Sequence, residues 1–203
     1  MKSLSEIETV SKRSSRAAGF SWGIAEEVGK NIRILEQFGL GGIKNLNYYF
    51  RIIKNKNFDK LHLIKDENKI EKKEFCPIIA GLSFLDQVRS LEVLKEIKFE
   101  KIAYPLLFLP FISRASEVIG KKLELKIDNR FFLLNFNNSI YSNFLNEGVV
   151  EIGNSVLIRF KENEDSFEEK EWKELYRLSE NTFVEESDSL KEGGAGAGLT
   201  DND

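Results

Sequence analysis

Residues 122–136 read KLELKIDNRFFLLNF, and the reading of this stretch decides the fold class. Two runs rich in apolar and aromatic residues, 123–127 and 131–136, flank Asp128-Asn129. Asp and Asn tolerate positive φ, so this pair suits the tight turn of a β-hairpin. A further pair of runs, 149–152 and 156–160, flanks Gly153-Asn154-Ser155 and reads as a second hairpin. Two hairpins in succession predict a mainly antiparallel sheet. Helical patterns are grouped toward both ends of the chain, which makes the expected class α+β rather than alternating α/β.

Working outward, Ser3 and Glu6 have the spacing of a capping box. They open a helix over 4–17, with Leu4, Ile7, Val10, Ser14 and Ala17 at helical spacing and Gly19 as a left-handed stop. Ser21 caps a second helix over 22–38, whose apolar stripe is Trp22, Ala25, Val28, Ile32 and Leu35. Gly39, Gly41 and Gly42 interrupt the chain before a third helix that ends near Lys54, giving an N-terminal three-helix unit. Residues 60–64 alternate like a half-buried strand and 66–73 form a charged connection. A helix follows over 82–97 and a shorter one over 113–119, closed by Gly120. Between them, 102–112 (IAYPLLFLPFI) is too apolar to lie in water, so it is expected to be buried core or, failing that, a subunit interface. A last amphipathic helix covers 167–183, with Trp172, Leu175, Tyr176 and Leu178 on one side. Residues 185–203 are a Gly/Asp-rich tail that cannot form a packed core. The expected organisation is one globular domain over 1–184 plus this tail, either unstructured or docked.

Composition limits function. The 203 residues carry 30 basic and 33 acidic side chains, net −3, which lacks the basic field that a broad grip on nucleic acid requires. The apolar run at 102–112 is about half the length of a membrane-spanning helix and contains two prolines. The N-terminal residues lack the apolar region of a secretory signal, so no membrane partner is expected and a soluble, cytoplasmic protein is. One Cys and one His exclude a disulfide framework and the usual Cys/His zinc site. A Ser-His-Asp triad would have to use His62.

The candidate chemistry is therefore sparse. His62 reads as a surface histidine on the polar phase of its strand, and Cys76, before Pro77, as a small buried residue in an extended setting. The sharper alternative pairs the two as nucleophile and base. Glu26 and Glu27 point about 100° apart on one helix, with Glu26 and Lys30 in the favourable i,i+4 order and both acids placed in the first helical turn. A magnesium site built from Glu26, Asp86 and Asp201 stays open, although no spacing demands it. The run 193–198 has no strand before it and no room for a helix after it, so it is no dinucleotide fingerprint. As a docking tail it would offer Leu199 as an apolar anchor and Asp201 and Asp203 as a negative end, with Arg13 and Arg16 as candidate receptors.

Arg16-Ala17-Ala18-Gly19, Trp22-Gly23, Ala25-Glu26-Glu27 and Gly29 together resemble the N-terminal signature of a proteobacterial family of unknown function, frequent in marine alphaproteobacteria. Cys76-Pro77 with Gly81 and Asp86, the segment from Pro105 to Pro110, and the closing Gly-Ala-Gly and Asp201-Asn202-Asp203 resemble its pattern as well. Ala17 stands where that pattern leads one to expect Gly. The resemblance implies no known activity, fold or cofactor. It does imply that the tail and residues 16–29 do more than generic packing.

Two functional expectations follow. The first is an accessory or small-subunit protein of a metabolic enzyme, working through a protein partner or a homo-oligomer. The second is a small-molecule enzyme or binding protein for a small anionic metabolite. There Glu26 or Glu27 would be a general base raised by burial, with Arg16, Trp22, Asp86, Asp201 and Asp203 around the substrate. No cofactor is expected.

Overall fold

The computed structural model describes residues 2–54, 56–144 and 148–182. The described chain is α+β and falls into two compact units, one ending at Asn163 and the other beginning at Glu164. The tail at 185–203, with Asp201 and Asp203, lies outside the described residues.

The first unit opens with three helices, α1 (Leu4–Ala17), α2 (Trp22–Gln37) and α3 (Gly42–Ile53). Ser3 Oγ accepts the Glu6 N–H at 3.1 Å, but Glu6 turns its carboxylate to Lys2 at 2.8 Å, so the capping box is only half made. Ser21 Oγ accepts the Ile24 N–H at 3.4 Å and starts α2. The seam between α1 and α2 is built from small residues: Ser11, Ser15, Ala25 and Gly29 are all buried. At Gly29 a Cβ would lie 2.8 Å from the Glu8 carbonyl oxygen, so the two backbones approach too closely for any other residue without a shift. The expected apolar stripes fail at four positions: Ser14 and Ala17 are exposed, and so are Val10 and Trp22. Val10 is 56% exposed and Trp22 57%, because large side chains do not fit between helices in such close contact. Val28, Ile32 and Leu35 face the core as expected.

The sheet runs β1-β2-β8-β4-β5-β6. Its strands are β1 (Glu67–Asn68), β2 (Glu96–Phe99), β4 (Lys122–Ile127), β5 (Arg130–Asn135), β6 (Ser139–Ser142) and β8 (Val156–Lys161). Within this sheet only β1 and β2 are parallel, and its other strand pairs are antiparallel. The hairpin of 122–136 is present with Ile127 opposite Arg130 and Asp128 at φ 53°. The second expected hairpin is not. Val156–Lys161 pairs with β4 and β2, while β7 (Ile152–Gly153) turns aside to pair with β3 (Ile102–Ala103) in a separate two-stranded ladder. The second hairpin is formed instead by β5 and β6, joined through Phe136 and Asn137, both at positive φ. Residues 60–64 form no strand; that segment is irregular.

One face of the sheet is apolar and covered. Leu123, Leu125, Ile127, Phe132, Leu134, Val156 and Ile158 are fully buried beneath α4 (Pro77–Leu91) and α5 (Leu109–Ile119). The other face carries charge in cross-strand pairs: Arg159 meets Glu96 at 2.7 Å and Glu124 at 3.4 Å, and Lys161 meets Glu124 at 3.0 Å. Such one-sided burial is the usual state of an antiparallel sheet. The segment 102–112 is core, buried throughout as β3, a 3-10 turn (Pro105–Leu107) and the first turn of α5. The expected helix over 82–97 starts earlier, at Pro77, because Pro is well suited to a first helical position; it ends at Leu91, and β2 takes up 96–99. In the second unit α6 (Glu169–Glu180) has no buried residue; Phe167 stacks on Trp172 with centroids 5.7 Å apart.

Candidate functional site

A cleft of about 490 Å³ lies between the α1–α2 turn, α3, residues 56–60 and the start of α4. Its first wall is the turn Ala18-Gly19-Phe20-Ser21. Gly19 sits at φ 105°, and the Arg16 guanidinium donates to the Phe20 carbonyl at 3.0 Å, which ties the turn back to α1. Ile24 of α2 and Tyr49 and Ile53 of α3 make the apolar floor.

The opposite wall carries Lys56, Asn57, Phe58 and Lys60. This irregular segment is placed by Asp59. The Asp59 N–H donates to the Glu74 carbonyl at 3.2 Å, and its own carbonyl accepts the Cys76 N–H at 3.0 Å. The Asp59 carboxylate accepts the backbone N–H groups of Glu71, Lys72 and Lys73 at 2.8, 3.0 and 3.2 Å. Burial alone would raise that carboxyl, but the three N–H donors and the Lys72 charge hold it below the ordinary range. Lys56 is ion-paired with the buried Glu74 and lies over the Phe58 ring, 5.5 Å from its centroid. Lys60 is exposed and makes no hydrogen bond or ion pair among the described residues.

At the back, Cys76 is the N-cap of α4: its sulfur accepts the Ile79 N–H at 3.5 Å and meets the Tyr49 hydroxyl at 3.1 Å. The setting is extended, as expected, yet it also opens a helix. Burial pushes the thiol up, outweighing Tyr49, the Ile79 and Ile78 amides and the Lys60 charge, all of which pull the other way. Burial likewise raises the Tyr49 hydroxyl. Both groups are therefore neutral at pH 7, and among the described residues no acidic one lines the cleft. His62 is exposed and takes no part in it, so the expected alternative of a Cys76–His62 pair has no geometry to support it.

The residues singled out from sequence are only partly brought together. Glu26 is on the surface of α2, 3.0 Å from Lys12 and 3.3 Å from Lys30. Glu27 is half-buried, 2.9 Å from Lys30 and 2.5 Å from Arg114, whose guanidinium also reaches Asn31 at 3.2 Å. Neither acid is in the first turn of α2. Hydrogen bonds from Lys12 and Lys30 hold Glu26 low. For Glu27, burial raises the carboxyl, but Lys30 and Arg114 outweigh it and the net direction is down. This is opposite to what a burial-raised base requires. Arg16 stacks over Trp22, 5.6 Å from the ring centroid, and is bonded to neither acid. Asp86 is exposed on α4 with no bond among the described residues. Among those residues no group of three or more His, Cys, Asp or Glu side chains is placed to hold a metal ion, and no helix is long and apolar enough to cross a membrane.

Sequence reading missed Lys56, Phe58 and Lys60. Their signal was Lys54–Lys60 (KNKNFDK), basic residues around one aromatic in a chain without helical or strand period.

Residues 2–76 match the family model described as "Protein of unknown function (DUF3726)". No curated protein and no solved structure matches the chain. Among the described residues, all that line the cleft except Ile79 fall inside 2–76.

The Glu27–Arg114 pair carries a pH prediction. Its folded-state carboxyl lies below the unfolded value near 4.5, so its stabilisation is complete above that value and is lost as pH falls through the lower one. Glu27→Gln is expected to cost about 1–2 kcal/mol at pH 7. In urea melts at a series of pH values, the gap between native and variant should stay constant down to about pH 4.5 and close below it.

Proposed function

We propose that this protein binds a small organic molecule in the cleft at the α1–α2 turn. One observation carries the reading: the turn at 18–21 and Cys76, both part of the sequence pattern that resembles a family signature, sit far apart in the chain and line the same cleft. Its volume falls within the roughly 300–1,000 Å³ of ordinary ligand sites, and an apolar lining with a few polar groups is their usual composition. Binding is favoured over proton-transfer chemistry because Cys76 and Tyr49 are held neutral and the described lining carries no carboxylate.

Ile24→Trp tests this by filling the floor. A neutral apolar dye, N-phenyl-1-naphthylamine, is expected to brighten with the native protein and to lose about tenfold or more in affinity with the variant, at unchanged melting temperature. Ile53→Trp, on the next helix, should act alike. Equal dye binding by all three proteins would refute the reading.

The accessory-protein reading is supported by a different element. On α6, Trp172, Leu175, Tyr176 and Leu178 are each at least half exposed, a composition common at protein contacts. The segment 102–112 gives it no help, being core.

A further inference from the structure

Resting on the binding reading above, we infer that the cleft selects an anion: a carboxylate or similar singly charged group on an aromatic or aliphatic body, with Lys60 as the residue that sets this selectivity.

The whole chain is net −3, yet among the described residues the cleft lining contains two lysines and no acid. Of the two, Lys56 is already neutralised by the buried Glu74 and held against the Phe58 ring. Lys60 makes no hydrogen bond or ion pair among the described residues, and so its ammonium stands at the rim without an acidic partner there. Two helices also begin at this cleft: Ser21, the N-cap of α2, and Cys76, the N-cap of α4, both line it. Neither helix has an acidic residue in its first turn, so beyond the neutral caps of Ser21 and Cys76 no negative charge there offsets the positive end of either dipole. Between these charges lie the floor residues Ile24, Tyr49 and Ile53, with Ile79 and the rings of Phe20 and Phe58 around them. A cationic rim over an apolar floor fits a ligand with one charged end, and a dication or a sugar would leave that floor unused.

Charge alone separates two otherwise matched probes, 1-naphthylacetate and 1-naphthylacetamide. Titrated by naphthyl fluorescence, the acetate is expected to bind about tenfold tighter than the amide, the scale of one charge-assisted hydrogen bond. Lys60→Met should bring the acetate down to the amide's affinity while leaving the amide unchanged; Lys60 makes no bond among the described residues, so the variant keeps its stability. Added salt should weaken the acetate and not the amide. Equal affinities in the native protein, or an equal loss of both on Lys60→Met, would overturn the anion inference and leave the binding reading intact. If neither probe bound, or if Ile24→Trp left both bound, the inference and the binding reading would fall together.

Discussion

Replacing Phe108 with Ala is expected to destabilise the first unit by about 3–5 kcal/mol, the usual range for removing a buried Phe. Phe108 precedes α5 and is fully buried, with its ring 5.3 Å from Phe99 of β2 and 6.4 Å from Phe84 of α4, edge to face in both cases. It therefore joins sheet and helix layers at one point, and its loss removes both contacts and leaves a cavity that close-packed neighbours fill only in part. At about 2–4 °C per kcal/mol for a unit of this size, the melting temperature should fall by about 10 °C. Urea midpoints give the free energy directly. A loss below about 1 kcal/mol would mean that the core does not converge on this ring.

Gly81→Ala should cost about 2–3 kcal/mol, although Ala is the better helix former by about 1 kcal/mol. Gly81 lies in α4 where α5 crosses it, and an added methyl would run into the Phe111 ring, which is itself buried and has nowhere to move. Gly23 is the control. It is also helical, but a Cβ there meets nothing within 4 Å. Gly23→Ala should therefore be neutral or stabilising by up to about 1 kcal/mol. Opposite signs for one substitution at two helical positions separate close packing from propensity.

What could be read in the sequence was what local chemistry controls. Ser3 and Ser21 fix two helix starts by side-chain capping, and α1 covers the expected 4–17. Asp128-Asn129 fixes one hairpin because the turn and its two strands are contiguous. The misread elements are those that distant partners decide. Residues 156–160 form a strand as expected, but β4 and β2 pair with it, and its nearest neighbour in sequence goes to β3. Residues 60–64 alternate, yet no sheet edge is offered to them. The site follows the same division. Gly19, Ser21 and Cys76 were singled out from sequence and line the cleft. Arg16, Glu26 and Glu27 were singled out too, but Phe20, Lys12, Lys30 and Arg114 occupy them. Lys60 reaches the cleft only through the hydrogen bonds of Asp59 to residues 71–76, a long-range fact with no periodic trace.

The central claim is that the cleft at the α1–α2 turn is where a ligand sits. Its most direct test is a titration of isotopically labelled protein with 1-naphthylacetate, followed through the backbone amide NMR spectrum. The account predicts saturable shifts confined to Gly19, Phe20, Ser21, Asn57, Lys60, Cys76 and Ile79, with the amides of α6 unmoved. An unchanged spectrum, or shifts centred on any other part of the molecule, would contradict it.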